Sequence, residues 1–160
     1  MKKHLTFILS CLLLLLVTEA ATAQARFDRK KLYMVTPAGQ PDKAWNFSAN
    51  SPKIQLTSKN ESNKSQLWSI ADLSGSFRLI NPYENQAVQA AANRFVQVAE
   101  TNGSDEMQLW LIKPVGDYVQ FIPSNQAKWV AATQKDGTIA LVDAAKAGEA
   151  GKGFAVVANN

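Results

Sequence analysis

Beyond its first two dozen residues, the chain places its apolar residues in short alternating runs of four or five, with no sustained helical period. Leu32-Tyr33-Met34-Val35, Phe77-Arg78-Leu79-Ile80 and Tyr118-Val119-Gln120-Phe121-Ile122 are aromatic-led runs bounded by polar residues, which predicts strands. Turns over Pro37 to Asp42, Pro82 to Asn85 and Pro123 to Asn125 lead into the pairs Ala44-Trp45, Ala87-Val88 and Trp129-Val130. A further strand is expected at Lys53 to Leu56, Phe95 to Val98 and Thr138 to Leu141. The last apolar stretches are Ser69-Ile70, Leu111-Ile112 and Ala155-Val156-Val157. Gln86 to Ala92 is Ala-rich and competes as a helix, but Asn93 closes it early and its counterparts do not read as helix. Ala144 to Ala150 has room for one helical turn at most.

These runs repeat. Gln66-Leu67-Trp68 recurs 42 residues later as Gln108-Leu109-Trp110, and a further 44 residues reach Phe154 in Lys152-Gly153-Phe154. The leading aromatics Tyr33, Phe77 and Tyr118 are spaced by 44 and 41 residues. Three units of about 40 residues, each with four short strands, predict an all-β barrel or sandwich of twelve strands. The expected boundaries are 32–72, 76–115 and 117–158, inside one domain spanning 32–158. Each unit supplies a third of a shared core, so none should be stable alone.

With 46% apolar and 19% charged residues in 160, the composition suits one domain with a proper core and excludes a disordered chain. Residues 1–23 read as a cleavable signal peptide. Lys2, Lys3 and His4 form a basic head, Leu5 to Val17 an apolar run, and Ala21-Thr22-Ala23 a cleavage site. At 13 residues the run is shorter than the ~20 that span a bilayer. It also continues six residues past Cys11, which argues against lipidation there. A secreted or periplasmic location is therefore expected.

The other 137 residues hold no Cys and no His. That excludes Cys nucleophiles, disulfides, Ser-His-Asp triads and Cys/His zinc sites, and no cofactor or metal is expected. Their net charge is about +3, with Arg26, Arg29, Lys30 and Lys31 clustered in an arm, 24–31, that reads as solvated. Export makes nucleic acid an improbable partner.

Two Gln-Leu-Trp motifs closing repeats of this length resemble the ricin B-chain type of β-trefoil lectin, over Leu32 to Val157. The resemblance implies a β-trefoil in which Trp68, Trp110 and Phe154 pack near the threefold axis. It also implies a sugar pocket made of an Asp, a stacking aromatic and a late Asn on one repeat. In the first repeat those positions, with one further polar position, fall on Asn46, Gln55, Thr57 and Ser65. In the second they fall on Gln89, Gln97, Ala99 and Met107, and in the third on Ala131, Ala140, Val142 and Gly151. Only the first keeps hydrogen-bonding groups throughout. The expected carbohydrate-binding residues are therefore Asn46, Gln55 and Gln66, with Trp45 or Trp129 as a platform if either is exposed.

Other motifs are weak. Gly148 to Gly153 lacks the Gly, the Ser or Thr and the following helix of a phosphate-binding loop. Asn46, Asn60, Asn63 and Asn102 open Asn-x-Ser triplets that read as turn composition. The acidic residues sit in or beside polar turns, unlike the facing carboxylates of a glycosidase. The sequence thus reads as a non-catalytic, monomeric, exported module that binds carbohydrate or, alternatively, another exported protein.

Overall fold

A computed structural model describes residues 27–146 and 151–159. The expected signal peptide and most of Ala144 to Ala150 lie outside them. The described residues contain twelve strands. The first repeat carries β1 (Leu32–Pro37), β2 (Lys43–Ser48), β3 (Ser51–Ser58) and β4 (Ser69–Leu73). The second carries β5 (Ser76–Asn81), β6 (Gln86–Ala90), β7 (Val96–Glu100) and β8 (Trp110–Val115). The third carries β9 (Tyr118–Pro123), β10 (Trp129–Thr133), β11 (Ile139–Asp143) and β12 (Phe154–Asn159). Gln86–Ala90 is a strand, with Val88 and Ala90 two residues apart in the core, Gln89 between them partly exposed, and Ala87 buried as well. Single 3-10 turns at Lys64–Gln66 and Glu106–Gln108 precede the two Gln-Leu-Trp closures.

The architecture is a β-trefoil. Antiparallel pairs β1–β12, β4–β5 and β8–β9 build a six-stranded barrel. Hairpins β2–β3, β6–β7 and β10–β11 cap one end. Three equivalent bridges close the barrel: Tyr33 with Trp68, Phe77 with Trp110, and Val119 with Phe154. The third repeat therefore counts from Val119, while Tyr118 beside it is exposed. The aromatic lead of the run pointed one residue too early, and in a strand one residue is the difference between the two faces.

The cap closes in the same threefold way, through bridges Lys53–Gln97, Phe95–Ala140 and Gln55–Thr138. Gln55, Gln97 and Ala140 are thus equivalent, and their cross-strand partners are Asn46, Gln89 and Ala132. The position assigned to Ala131 from the sequence is accordingly Ala132.

Trp45, Trp68, Trp110, Phe77, Phe121 and Phe154 are fully buried and fill the barrel. Trp45 packs on Phe121 and Phe154 with ring centroids 5.1 and 5.0 Å away, one pair tilted and the other edge-on, contacts that add to burial. At the closing triplet of the third repeat, Gly153 replaces Leu67 and Leu109. An added Cβ there would meet the Ala38 and Tyr118 Cβ atoms at 3.3 Å. In the described part of the arm only Phe27 is packed, while Asp28 to Lys31 are exposed to solvent as expected. Phe27 stacks edge-on against Tyr33 and Phe77 at 5.4 and 5.6 Å, and Arg29 donates to the Asp72 carbonyl.

Candidate functional site

The first repeat has a solvent-open hollow of about 850 Å³, lined by Asn46 of β2, Thr57 and Ser58 of β3, and the loop 59–63. The loop is shaped by its own side chains. Asn60 Oδ1 accepts from the Ser62 N–H, and Asn63 Oδ1 caps the 3-10 turn by accepting from the Ser65 N–H at 3.1 Å. Short Asn side chains favour such local bonds, which is why the Asn/Ser run is a folded loop and not an extension of β3.

Gln66 fastens this loop to the strand behind it. It is 0% exposed. Its Oε1 accepts from the Asn60 N–H at 2.8 Å, and its Nε2 donates to Thr57 Oγ1 at 2.8 Å and to the Ser58 carbonyl at 2.9 Å. Both amide hydrogens and the carbonyl oxygen are engaged inside the protein. Gln66 therefore holds in place the loop that walls the hollow and, being fully buried outside its lining, offers nothing to a ligand in it.

The remaining expected residues separate. Asn46 is half-buried on the floor. Its Oδ1 accepts from Asn63 Nδ2 at 3.1 Å, and its Nδ2 donates to the Phe47 carbonyl at 3.0 Å. Gln55 pairs with Asn46 on the same face of the hairpin, but it is exposed and stands outside the lining. Trp45 is 0% exposed on the opposite face of β2 and cannot serve as a sugar platform. Its neighbour relation to Asn46 in the chain is what places it there, since adjacent strand residues point to opposite faces. Ser65 is also outside the lining, and Asn63 supplies the late amide instead.

The hollow is nearly neutral. Lys59 Nζ lies 3.6 Å from Glu61 Oε1 at its rim, and amides and hydroxyls make up the rest. The lining contains no aromatic. Sequence reasoning missed Asn60 and Asn63, although the Asn-x-Ser triplets signalled a tight loop. Asn63 matched no expected ligand position, because the resemblance placed the late Asn next to the closing Gln.

The second repeat reproduces the construction with different chemistry. Gln108 is buried and binds the Asn102 N–H and the Glu100 carbonyl, at 3.0 and 2.8 Å. Gln97 donates to Gln89 at 3.1 Å and Gln89 to Asp105 Oδ2 at 2.7 Å, so these polar ends bond to one another. A smaller hollow of about 480 Å³ remains there. In the third repeat the corresponding side chains are Ala132, Ala140 and Val142, which offer no hydrogen bond. Lys152 takes the place of the closing Gln, is 4% exposed, and donates to the Ala144 carbonyl at 3.1 Å.

No family model matches the chain, and no curated protein matches it in sequence. Solved structures share its fold at low identity. An endo-β-galactosidase of Clostridium perfringens that releases GlcNAcα1-4Gal superposes with a TM-score of 0.71 at 14% identity, over 80% of this chain and 32% of that one. The designed threefold-symmetric protein ThreeFoil does so at 0.66 and 16%, over 79% and 97%. A Polyporus squamosus lectin bound to a human-type influenza-binding epitope gives 0.65 and 14%, over 82% and 50%. The chain thus spans about a third of the length of the galactosidase and half that of the lectin.

Proposed function

We propose that this protein is an exported, non-catalytic carbohydrate-binding module whose site is the hollow of the first repeat. The observation that carries the reading is the paired amides of Asn46 and Asn63 on the floor of an open, nearly neutral cavity walled by a loop that Gln66 holds rigid. A neutral polyol matches that lining. Asn46 and Asn63 each retain a second amide hydrogen, and Thr57, which accepts from Gln66, retains its hydroxyl hydrogen for donation. The sugar-binding lectin among the fold neighbours is consistent with this use of the fold.

Without an aromatic under the ring, a few neutral hydrogen bonds of about 1 kcal/mol each give millimolar affinity, about −4 kcal/mol in all. The test is a glycan-array screen followed by calorimetric titration of a neutral hit into the protein and into Asn46→Ala. Binding weakened about tenfold or more in Asn46→Ala supports the site. Binding indifferent to that substitution overturns it. The missing aromatic favours a second reading, a trefoil that presents the same loops to another exported protein. Absence of any saccharide binding by a folded sample would turn the assignment to that reading.

A further inference from the structure

Away from this hollow, at the junction of the second and third repeats, a cavity of about 600 Å³ gathers Arg94, Lys128, Trp129 and Lys146 around an apolar floor of Leu141 and Val142. We infer that this cavity is a second binding site, for a saccharide carrying carboxylate or sulfate groups. It does not depend on the first-repeat reading and is cationic where that hollow is nearly neutral.

Trp129 begins β10, two residues before Ala131, on the face of the strand that carries the core. At the strand end that face emerges at the rim, so the indole is half-buried. The Arg94 guanidinium carbon lies 4.3 Å from the Trp129 ring centroid, and Lys128 Nζ lies 5.0 Å from it. Arg94 comes from the β6–β7 turn of the neighbouring repeat and is pinned there. Its N–H donates to the Ala91 carbonyl at 2.9 Å, and its carbonyl accepts from the Leu141 N–H at 2.7 Å. It holds φ +67, a conformation in which glycine is the ordinary choice, so the chain carries a guanidinium where the backbone favours no side chain.

Charge and shape select the ligand. Three cations face one carboxylate, Asp143, whose Oδ1 already accepts from the Ala145 N–H at 3.0 Å. A guanidinium stacked on an indole keeps its planar donor fork oriented, and that fork matches carboxylate or sulfate with two parallel bonds. Leu141, Val142 and the exposed part of Trp129 offer apolar surface for the C–H face of a pyranose. A nucleic acid would call for a longer cationic stripe, and a membrane surface for a broad flat patch. This is a single concave cavity.

The experiment titrates the full chain with polygalacturonate, dextran sulfate and neutral dextran at low and moderate salt, alongside phosphatidylserine vesicles. Arg94→Gly removes the guanidinium while suiting the backbone, so it should fold as the parent does. Expected are binding of a charged polymer but not neutral dextran, a loss of about tenfold in Arg94→Gly, about threefold in Lys128→Ala, and a shallower salt dependence in both. Asn46→Ala should leave polymer binding unchanged, which separates this site from the first-repeat hollow. Parent-like affinity in a folded Arg94→Gly, equal binding of neutral dextran, or Arg94-dependent binding to vesicles alone would each overturn the assignment.

Discussion

Gln66 and Lys152 occupy the same place in the first and third closures with unlike chemistry. Gln66 gives and accepts hydrogen bonds at once, which is what lets one side chain clamp both a strand carbonyl and a loop N–H. Lysine has three donors and no acceptor, so Lys152 reproduces the bond to a carbonyl but not the bond from an N–H. Gln66→Ala should therefore cost about 3 kcal/mol in urea unfolding, from unsatisfied Asn60 and Ser58 groups plus a void. Gln66→Lys should cost nearly as much, while Lys152→Gln should be neutral or raise the midpoint. The asymmetry between the two exchanges is the measurable signature of the missing acceptor.

The β10–β11 hairpin shows how a turn is both made and docked. Gly137, at φ +81, donates to the Gln134 carbonyl at 3.0 Å, and its own carbonyl accepts from the Leu56 N–H of β3 at 2.8 Å. Asp136 Oδ1 accepts from the Thr138 hydroxyl at 2.7 Å and from its N–H at 3.0 Å. The Thr138 hydroxyl, then its N–H, hold the Asp136 carboxyl below the usual carboxylate range, with a lesser pull from Lys53. A lowered folded pKa means that the folded state binds fewer protons. The hairpin's contribution is thus present above the ordinary carboxylate range and is lost as pH falls through the folded value. Thr138→Val should move the Asp136 titration, followed by NMR of its carboxyl carbon, back up toward the ordinary value. It should also flatten the acid limb of stability by a small amount, since the carboxylate is solvent-exposed.

For the molecule as a whole, closure joins the two ends of the described chain. β1 and β12 pair over six residues, from Leu32 with Asn159 to Pro37 with Phe154. Deleting 154–159 would strip β1 and β9 of a neighbour and remove Phe154 from the aromatic core it forms with Trp45 and Phe121. The expected outcome is a chain without a cooperative thermal transition, with weak near-ultraviolet dichroism and strong binding of a hydrophobic dye. A truncated chain that still melts cooperatively would show that two repeats and the remnant of the third suffice.

The strands and their threefold repetition are legible along the chain because they rest on local properties, alternation and turn residues, while the trefoil was implied by the resemblance that the recurring Gln-Leu-Trp triplet carries. Asn46 came from the resemblance, as the position of the family's Asp, and it lines the hollow because Trp45 beside it on β2 faces the core. The rest depended on partners distant in sequence. Val119 and Ala132 replace their neighbours because register is set by which strand lies alongside, and a slip of one residue exchanges faces without altering the pattern. Gln66 passes from ligand to scaffold because only the folded loop brings the Asn60 N–H and the Ser58 carbonyl to its amide. Arg94 and Trp129 belong to different repeats, and no spacing in the chain foretells their stacking. Local chemistry chose the elements, and the long-range closure of the barrel chose which side chains would meet.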